Sequence, residues 1–224
     1  MEFQKHLFTD LDSQMTNVKL KWLPWIGQHY SRTKTVVLGE SQYEDEDYWQ
    51  DGNIDATRIL IGKRFSGSRG KLLTNVEKVL LSMDNPTMEQ GNYLWKSVAY
   101  WNLVQRLMTS RKDRPRDPDF DNGWKVFFGL VDIIKPNTCI VLGKSSCGRL
   151  GYYLQNNETT WKRNDYLEFY APEKIIKLSK NGHKLKLIFI NHPSGSRGFD
   201  YKHWAKLIGD NEPDLRQLLT YVLP

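Results

Sequence analysis

The sequence predicts an α/β domain built on a parallel sheet covered by helices. Three short apolar runs rich in β-branched residues are bounded by loop residues, as buried strands are. Segments with helical spacing of apolar residues lie between them, and this alternation favours a parallel sheet. The runs are apolar on both faces, which is typical of strands covered on each side. They span residues 35–40, 138–144 and 185–190.

Helical spacing and one further apolar segment complete the predicted elements. Residues 98–104 are apolar except for Asn102 and predict a fourth strand, although the pattern permits a helix equally well. The polar stretch 111–121, which contains two prolines, predicts a surface loop. Amphipathic helices are predicted over 70–82, 124–134, 145–154 and 213–222.

Size and composition limit the class of protein. The chain has 224 residues and a mass of 26.3 kDa, and no linker rich in Pro, Gly or Ser divides it, so we expect one domain over residues 1–224. A hydrophobic fraction of 39% and a mean hydropathy of −0.60 are typical of soluble globular proteins. No apolar run reaches the roughly 18 residues of a membrane span. The charged start, Met1–His6, does not fit a signal peptide.

The cysteine count excludes several chemistries. With only Cys139 and Cys147, one chain cannot build a disulfide framework, a four-cysteine zinc site or a cysteine-ligated iron–sulfur cluster. Free thiols and the absence of an export signal predict a reducing, cytoplasmic location. The net charge of +6 is compatible with a polyanionic partner such as nucleic acid but does not require one.

Polar segments follow the three clear strands. In parallel sheets, ligands bind beyond the carboxyl ends of the strands, so the segments 39–43, 143–146 and 191–194 are expected to converge on one cleft. A histidine at such a position, here His192, can donate a hydrogen bond to a ligand and stabilise developing negative charge. An ordinary histidine capping a strand would give the same local pattern.

Taken in order, these segments resemble the motifs of the uracil-DNA glycosylase family. Residues 36–43, Val-Val-Leu-Gly-Glu-Ser-Gln-Tyr, are similar to its first motif. Residues 191–199, Asn-His-Pro-Ser-Gly-Ser-Arg-Gly-Phe, are similar to its second, and 140–146 to the strand and helix start between them. The resemblance spans about residues 35 to 204. It implies a three-layer α/β/α domain with a four-stranded parallel sheet, acting on DNA as a monomer without a metal or other cofactor.

The resemblance also implies a reaction and roles for individual residues. Such an enzyme extrudes a nucleotide from DNA, because a stacked base is out of reach, and hydrolyses its N-glycosidic bond to leave an abasic site. A neutral His192 would stabilise the departing pyrimidine, and Asn102 would read its edge, since an amide both donates and accepts. Tyr43 would wall the base pocket, with Gly39 and Gln42 beside it.

The first motif departs from the family pattern at the residue expected to handle water. Ser41 stands where the best-studied branch has an aspartate, and Gln42 replaces a proline. The catalytic role toward water or the sugar cation is therefore open between Glu40, Ser41 and an acid of the following loop. Loss of the aspartate also permits a second class, an inactive DNA-binding module. A third class is a nucleoside or sugar-nucleotide hydrolase.

The loop after the first motif is acidic, with seven Asp or Glu and no Lys or Arg between residues 40 and 55. It is either a solvated loop or, with Tyr48 and Trp49, the lining of an enlarged pocket. The second interpretation suits a modified cytosine, such as a glucosylated hydroxymethylcytosine, better than uracil. It would suggest defence against phage with modified DNA, whereas release of uracil would suggest DNA repair.

Basic and small residues near the strand ends are candidates for phosphate binding. The sequence Ser-Gly-Ser-Arg-Gly occurs at 66–70 and again at 194–198, and such loops can offer backbone N–H groups and a guanidinium to phosphate. Coincidence explains the repeat equally well, and any basic cluster can be ordinary surface. The candidates are Arg69, Lys144, Ser145, Ser194, Gly195, Ser196 and Arg197, and a further basic cluster comprises Arg111, Lys112, Arg114 and Arg116.

Overall fold

A computed structural model describes residues 2–44, 52–68, 70–110, 112–156, 159–164, 174–194 and 199–220. The strands in this part of the chain are β1 (Trp25–Ile26), β2 (Thr35–Gly39), β3 (Gln42–Tyr43), β4 (Ala99–Asn102), β5 (Leu107–Met108), β6 (Thr138–Leu142), β7 (Lys162–Arg163), β8 (Lys174–Lys180) and β9 (His183–Ile190).

Seven of these strands form one mixed sheet in the order β1-β4-β2-β6-β9-β8-β7. The four central strands, β4, β2, β6 and β9, are parallel to one another. The outer strands β1, β8 and β7 each pair antiparallel with their inner neighbour. Strands β3 and β5 form a separate parallel pair.

The first α-helix of the described chain precedes β1, and the others lie between or after the strands. A short 3₁₀ helix at Glu2–His6 precedes them. The α-helices are α1 (Asp12–Met15), α2 (Tyr30–Thr33), α3 (Ala56–Phe65), α4 (Lys71–Leu81), α5 (Met88–Ser97), α6 (Asp117–Ile134), α7 (Cys147–Gln155), α8 (Tyr201–Asn211) and α9 (Leu215–Leu219). No helix in this part of the chain is both long and apolar enough to cross a bilayer.

Each central strand contributes to two hydrophobic cores, one on each face of the sheet. Alternate residues of a strand point to opposite faces, so Val36 and Leu38 of β2 join one core while Val37 joins the other. Helices α6 and α7 cover the first face, and helices α3, α4, α5, α8 and α9 pack over the second. The prediction of an α/β sheet flanked by helices is confirmed.

The expectation of a purely parallel four-stranded sheet is wrong at the two edges of the sheet. The parallel core is present, but antiparallel strands extend it on both sides. Strand β1 is two residues long and too short to give an alternating pattern. In β8 and β9, lysines occupy exposed or partly exposed positions, and the predicted strand 185–190 covers the last six of the eight residues of β9.

The segment 98–104 is a strand, as predicted, but only Ala99–Asn102 pairs. The expected loop over 111–121 is wrong at its end, because α6 begins at Asp117, seven residues before the predicted helix. Pro118 lies in the first turn, where a missing N–H costs nothing, and the Asp119 side chain accepts a hydrogen bond from the Arg116 N–H. A proline read as a loop signal was therefore part of a helix start.

A buried ion pair joins the helices on the second face. Arg64 of α3 is fully buried and donates from Nε and Nη2 to the Glu77 carboxylate of α4, at 2.6 and 3.0 Å. The Trp95 indole of α5 donates to the same carboxylate at 2.8 Å. Gly91 makes room for the pair, because a Cβ there would lie 2.2 Å from Arg64 Nη2. Three helices are thus held by one charged cluster without contact with water.

Glu77→Gln should destabilise the protein by about 3–5 kcal/mol, because it leaves the Arg64 charge buried without its counter-charge. The free energy of unfolding from denaturant titration measures this loss. The exposed pair Lys206–Asp210 provides the control, since Asp210→Asn should change stability by only a small fraction of that amount. Equal effects of the two substitutions would contradict a stabilising role for the buried pair.

Candidate functional site

The carboxyl ends of β4, β2, β6 and β9 lie along one edge of the sheet. Parallel pairing sets Gly39 opposite Asn102, and Leu142 opposite Ile190. The segments that follow these residues contain the polar side chains singled out in the sequence. The topology therefore gives Glu40, Asn102 and the segment around His192 a common edge.

The turn after β2 is held to the segment after β4 by backbone hydrogen bonds. The Leu103 N–H donates to the Gly39 carbonyl and the Val104 N–H to the Glu40 carbonyl, both at 2.9 Å. The same two segments then pair again as β3 with β5. The chain that contains the first motif is thus fixed along its length, and Glu40 lies at its start.

Asn102 lies against the backbone of Gly39. Its side chain is 3% exposed, and its Oδ1 accepts a hydrogen bond from the Tyr100 hydroxyl at 3.1 Å. A Cβ on Gly39 would lie 2.1 Å from that oxygen, so only glycine permits this approach. The amide nitrogen, Nδ2, is buried and has no hydrogen-bond partner among the described residues. A buried donor without a partner is uncommon and indicates a group that a ligand could satisfy.

Glu40 and His192 meet at Gly143, the residue after β6. Gly143 has φ of +109°, a conformation that side chains rarely adopt, and a Cβ on it would lie 3.2 Å from Glu40 Oε2 and 3.8 Å from His192 Cδ2. The Ser145 hydroxyl donates a hydrogen bond to Glu40 Oε2. A carboxylate and an imidazole are therefore neighbours, and the carboxylate is held in place by Ser145.

The hydrogen bonds of His192 define its tautomer. The Ser194 N–H lies 3.4 Å from His192 Nδ1 and the Ser194 hydroxyl 3.1 Å from it. A backbone N–H can only donate, so Nδ1 is the acceptor and a neutral ring has its hydrogen on Nε2. The loop is further tied to α4, since Asn75 Nδ2 donates to the Pro193 carbonyl at 2.7 Å. This arrangement leaves the Nε2–H available as a donor.

The surroundings of His192 keep its ring neutral near pH 7. Burial lowers the pKa of His192 below its ordinary value of 6.5. The Glu40 carboxylate opposes this shift and raises the pKa, whereas the positive charge of Arg114 lowers it. Since the net direction is downward, the imidazole can donate a hydrogen bond from Nε2 without being charged.

Tyr43 and Arg114 lie at the solvent-exposed border of the same sheet edge, which we call its rim. Tyr43 is half-buried in β3, and its hydroxyl accepts a hydrogen bond from Arg114 Nη1 at 3.1 Å. Arg114 itself is exposed. The tyrosine expected to wall a pocket thus ends at a guanidinium that faces solvent.

The remaining predicted residues take less central places. Ser41 is half-buried in the turn between β2 and β3, and Gln42 is in β3, opposite Leu107. The Lys144 ammonium lies 4.6 Å from the centre of the Trp204 ring, and Ser145 contacts Glu40. Arg69, Gly195, Ser196 and Arg197 lie outside the described residues, as do Tyr48, Trp49 and most of the acidic loop.

Two residues of the edge, Tyr100 and Asn75, were missed by sequence reasoning as members of a site. Tyr100 could have been found, because it shares a strand face with Asn102 at a spacing of two residues. Asn75 has no local signal, since long-range packing brings it to the edge. Gly143 was expected at the edge only as part of the segment 143–146, and Arg114 was named only as one member of a basic cluster.

A cavity along the C-terminal half of α7 does not belong to this edge. It is an open groove of about 340 Å³ lined by residues of α7, of β7 and of the segment just before β7, including Leu154 and Trp161. Among the described residues, no three His, Cys, Asp or Glu side chains are grouped as a metal site would require. Comparison with protein-family models and with curated proteins finds no match for the chain.

The two charged neighbours of His192 should shift its pKa in opposite directions. We expect an NMR titration of the imidazole C–H signals, assigned with His192→Gln, to give a value below 6.5. Glu40→Gln should lower this value further and Arg114→Gln should raise it, because each removes one charge. A pKa above 6.5 in the unsubstituted protein would contradict the buried, neutral imidazole.

Proposed function

We propose that the protein is a DNA glycosylase of the uracil-DNA glycosylase type, which extrudes a pyrimidine nucleotide and hydrolyses its N-glycosidic bond. The observation that carries the proposal is the unpartnered, buried amide nitrogen of Asn102 at the sheet edge that also holds Glu40 and His192. An amide can both donate to and accept from the edge of a pyrimidine. The order of the motif-like segments along the chain supports the same conclusion.

His192 would stabilise the base as it leaves. When the glycosidic bond breaks, its electron pair goes to the base, and negative charge develops on the ring. A neutral imidazole that donates from Nε2 stabilises this charge, and the Ser194 contact to Nδ1 fixes the required tautomer. Because the ring is partly buried, the hydrogen bond forms where solvent competes weakly.

Glu40 would act on the sugar side of the same bond. Positive charge develops on the sugar ring as the base departs, and a nearby carboxylate stabilises it. The carboxylate can also orient the water that attacks the sugar carbon and accept its proton. The hydrogen bond from Ser145 restricts the position of Glu40, so we assign Ser145 to this carboxylate rather than to a phosphate. Ser41 has no acidic group and is the weaker candidate.

The substrate base is proposed as uracil or a modified cytosine. Tyr43 would wall the base pocket, and its place in β3, next to the turn that contains Glu40, supports this role. The acidic loop that would enlarge the pocket follows directly after Glu44, and it lies outside the described residues. Its four acids, Asp45, Glu46, Asp47 and Asp51, favour a base that bears several hydroxyl groups, because carboxylates accept hydrogen bonds from them.

Release of free base from defined DNA tests the proposal. We expect mass spectrometry to detect a pyrimidine released from duplex or single-stranded DNA that contains uracil, hydroxymethylcytosine or glucosylated hydroxymethylcytosine. His192→Ala should lower the rate by about 10²–10³-fold, the loss typical of removing one charge-stabilising donor. Binding without release from any of these DNAs would leave the inactive module, and turnover of free nucleosides alone would support the hydrolase of small molecules.

Gly39→Ala should abolish most base release without unfolding the protein. The added methyl group would lie 2.1 Å from Asn102 Oδ1 and 2.8 Å from the Tyr100 hydroxyl, so the amide must leave its position. Gly148→Ala is the matched control, because a Cβ there meets no atom within 4 Å. Single-turnover rates and the thermal midpoint are measured for both variants. A Gly39→Ala protein as active as the control would contradict a role for Asn102 in base recognition.

A further inference from the structure

The loop between β5 and α6 presents an arginine whose charge no described acid neutralises. Arg114 donates to the Tyr43 hydroxyl, which is a neutral acceptor, and it uses one of its five N–H donors there. Among the described residues, no carboxylate forms an ion pair with it. Arg114 is nevertheless close enough to His192 for its charge to affect the ring.

The acids nearest in sequence to Arg114 are all paired with other arginines. Arg106 binds Asp113 through two nitrogens, at 2.7 and 3.2 Å, and binds Asp119 through two, both at 3.0 Å. Arg149 pairs with the other two acids of this region. It contacts Asp117 at 3.3 Å and Asp121 through Nε at 2.8 Å. Among the described residues, the positive charge of Arg114 therefore has no counter-charge, and an external anion could supply one.

The same contacts hold the loop in place. Arg106 bridges the loop residue Asp113 to Asp119 in the first turn of α6, and the Thr109 N–H donates to Asp113 at 3.2 Å. These hydrogen bonds lower the pKa of Asp113 to about 2, so the bridge stays charged at neutral pH. A guanidinium on such a loop is positioned before any ligand arrives, which reduces the entropy lost on binding.

The location of Arg114 identifies the kind of anion. The guanidinium is exposed and meets the hydroxyl end of Tyr43, at the rim rather than at the buried level of Asn102. A base that entered the edge would lie beside Asn102, and the sugar–phosphate chain that bears it would pass over the rim. Two oxygens of a phosphodiester match the fork of a guanidinium.

We propose that Arg114, oriented by Tyr43 and by the Arg106 bridge, binds a backbone phosphate next to the extruded nucleotide. This inference rests on the proposed function for its account of which nucleotide is extruded. It makes the Tyr43 hydroxyl a positioning group for the arginine as well as the end of the pocket wall. The hydrogen bond between Arg114 and Tyr43 would thus couple binding of the DNA backbone to the wall of the base site.

The proposal is tested by removing the negative charge of one DNA phosphate at a time and measuring binding. The probe is a short duplex with one 2′-fluoro-2′-deoxyuridine, in which the fluorine slows bond cleavage, and with one methylphosphonate placed in turn at each position around it. A methylphosphonate at the contacted position should weaken binding of the unsubstituted protein by about 10- to 100-fold. It should have no further effect on Arg114→Gln, which has already lost the contact. Compared with Arg114→Gln, Arg114→Lys should restore the salt dependence of binding but only part of the affinity. Lysine keeps the positive charge but lacks the two parallel N–H donors of the guanidinium.

The salt dependence of affinity gives an independent readout. Arg114→Gln should reduce the slope of log K against log salt concentration by about 0.9, the contribution of one phosphate contact in duplex DNA. Arg149→Gln is the matched control, because its guanidinium is already paired with Asp121, and the slope should stay unchanged. Circular dichroism confirms that each variant is folded.

Two results would overturn the inference without touching the proposed function. One is that each methylphosphonate weakens DNA binding by the unsubstituted protein and by Arg114→Gln to the same extent. The other is an unchanged affinity of Arg114→Gln together with slower base release, which would assign the arginine to the leaving base. Failure of the proposed function is separate, since it appears as no base release by the unsubstituted protein from the unfluorinated DNAs, whereas both binding measurements remain possible.

Discussion

The parallel register that sets Gly39 opposite Asn102 is the constraint on which the candidate site depends. Because a Cβ at Gly39 would collide with the Asn102 amide, this pairing lets the amide lie against the backbone of β2. The same register continues past the strand ends, where the Val104 N–H binds the Glu40 carbonyl. A shift by one residue would reverse the faces of β4 and bury Trp101 where the amide now lies. The positions of amide and carboxylate therefore follow from one pairing.

Opposite charges around a neutral ring give this edge its electrostatic character. Burial is the largest cause of the lowered pKa of His192; the Glu40 carboxylate opposes this shift, and the positive charge of Arg114 adds to it. The result is a donor without charge beside a carboxylate, which suits a reaction where negative and positive charge develop on two parts of one molecule. A protonated imidazole would instead form an ion pair with Glu40. Such a pair would compete with the sugar for the carboxylate, so the burial that keeps the imidazole neutral also keeps both groups available.

The sequence was sufficient to predict the parallel core and the polar segments that share one edge of it. Buried strands are apolar on both faces, so β2, β6 and the last six residues of β9 stood out, and the residues after them could be assigned to one edge. The start of α6 was missed because Pro118 signals a loop and a first helical turn equally well. Contacts such as Arg114 with Tyr43 could not be predicted, since they join residues 71 positions apart that share no pattern. Local patterns identify which residues end a strand, but only packing brings a loop to the rim.

The serine at position 41 weakens the resemblance to the best-studied glycosylases less than the sequence alone suggests. What the proposed chemistry needs is a carboxylate near the imidazole, and its position in the motif is secondary. Glu40 supplies one, since it approaches the same Cβ position of Gly143 as His192 does. Ser145, from the segment between β6 and α7, holds that carboxylate by a hydrogen bond, so a residue of another strand end orients it. A change of one residue in the first motif can thus be compensated from a neighbouring strand, because parallel strands end side by side.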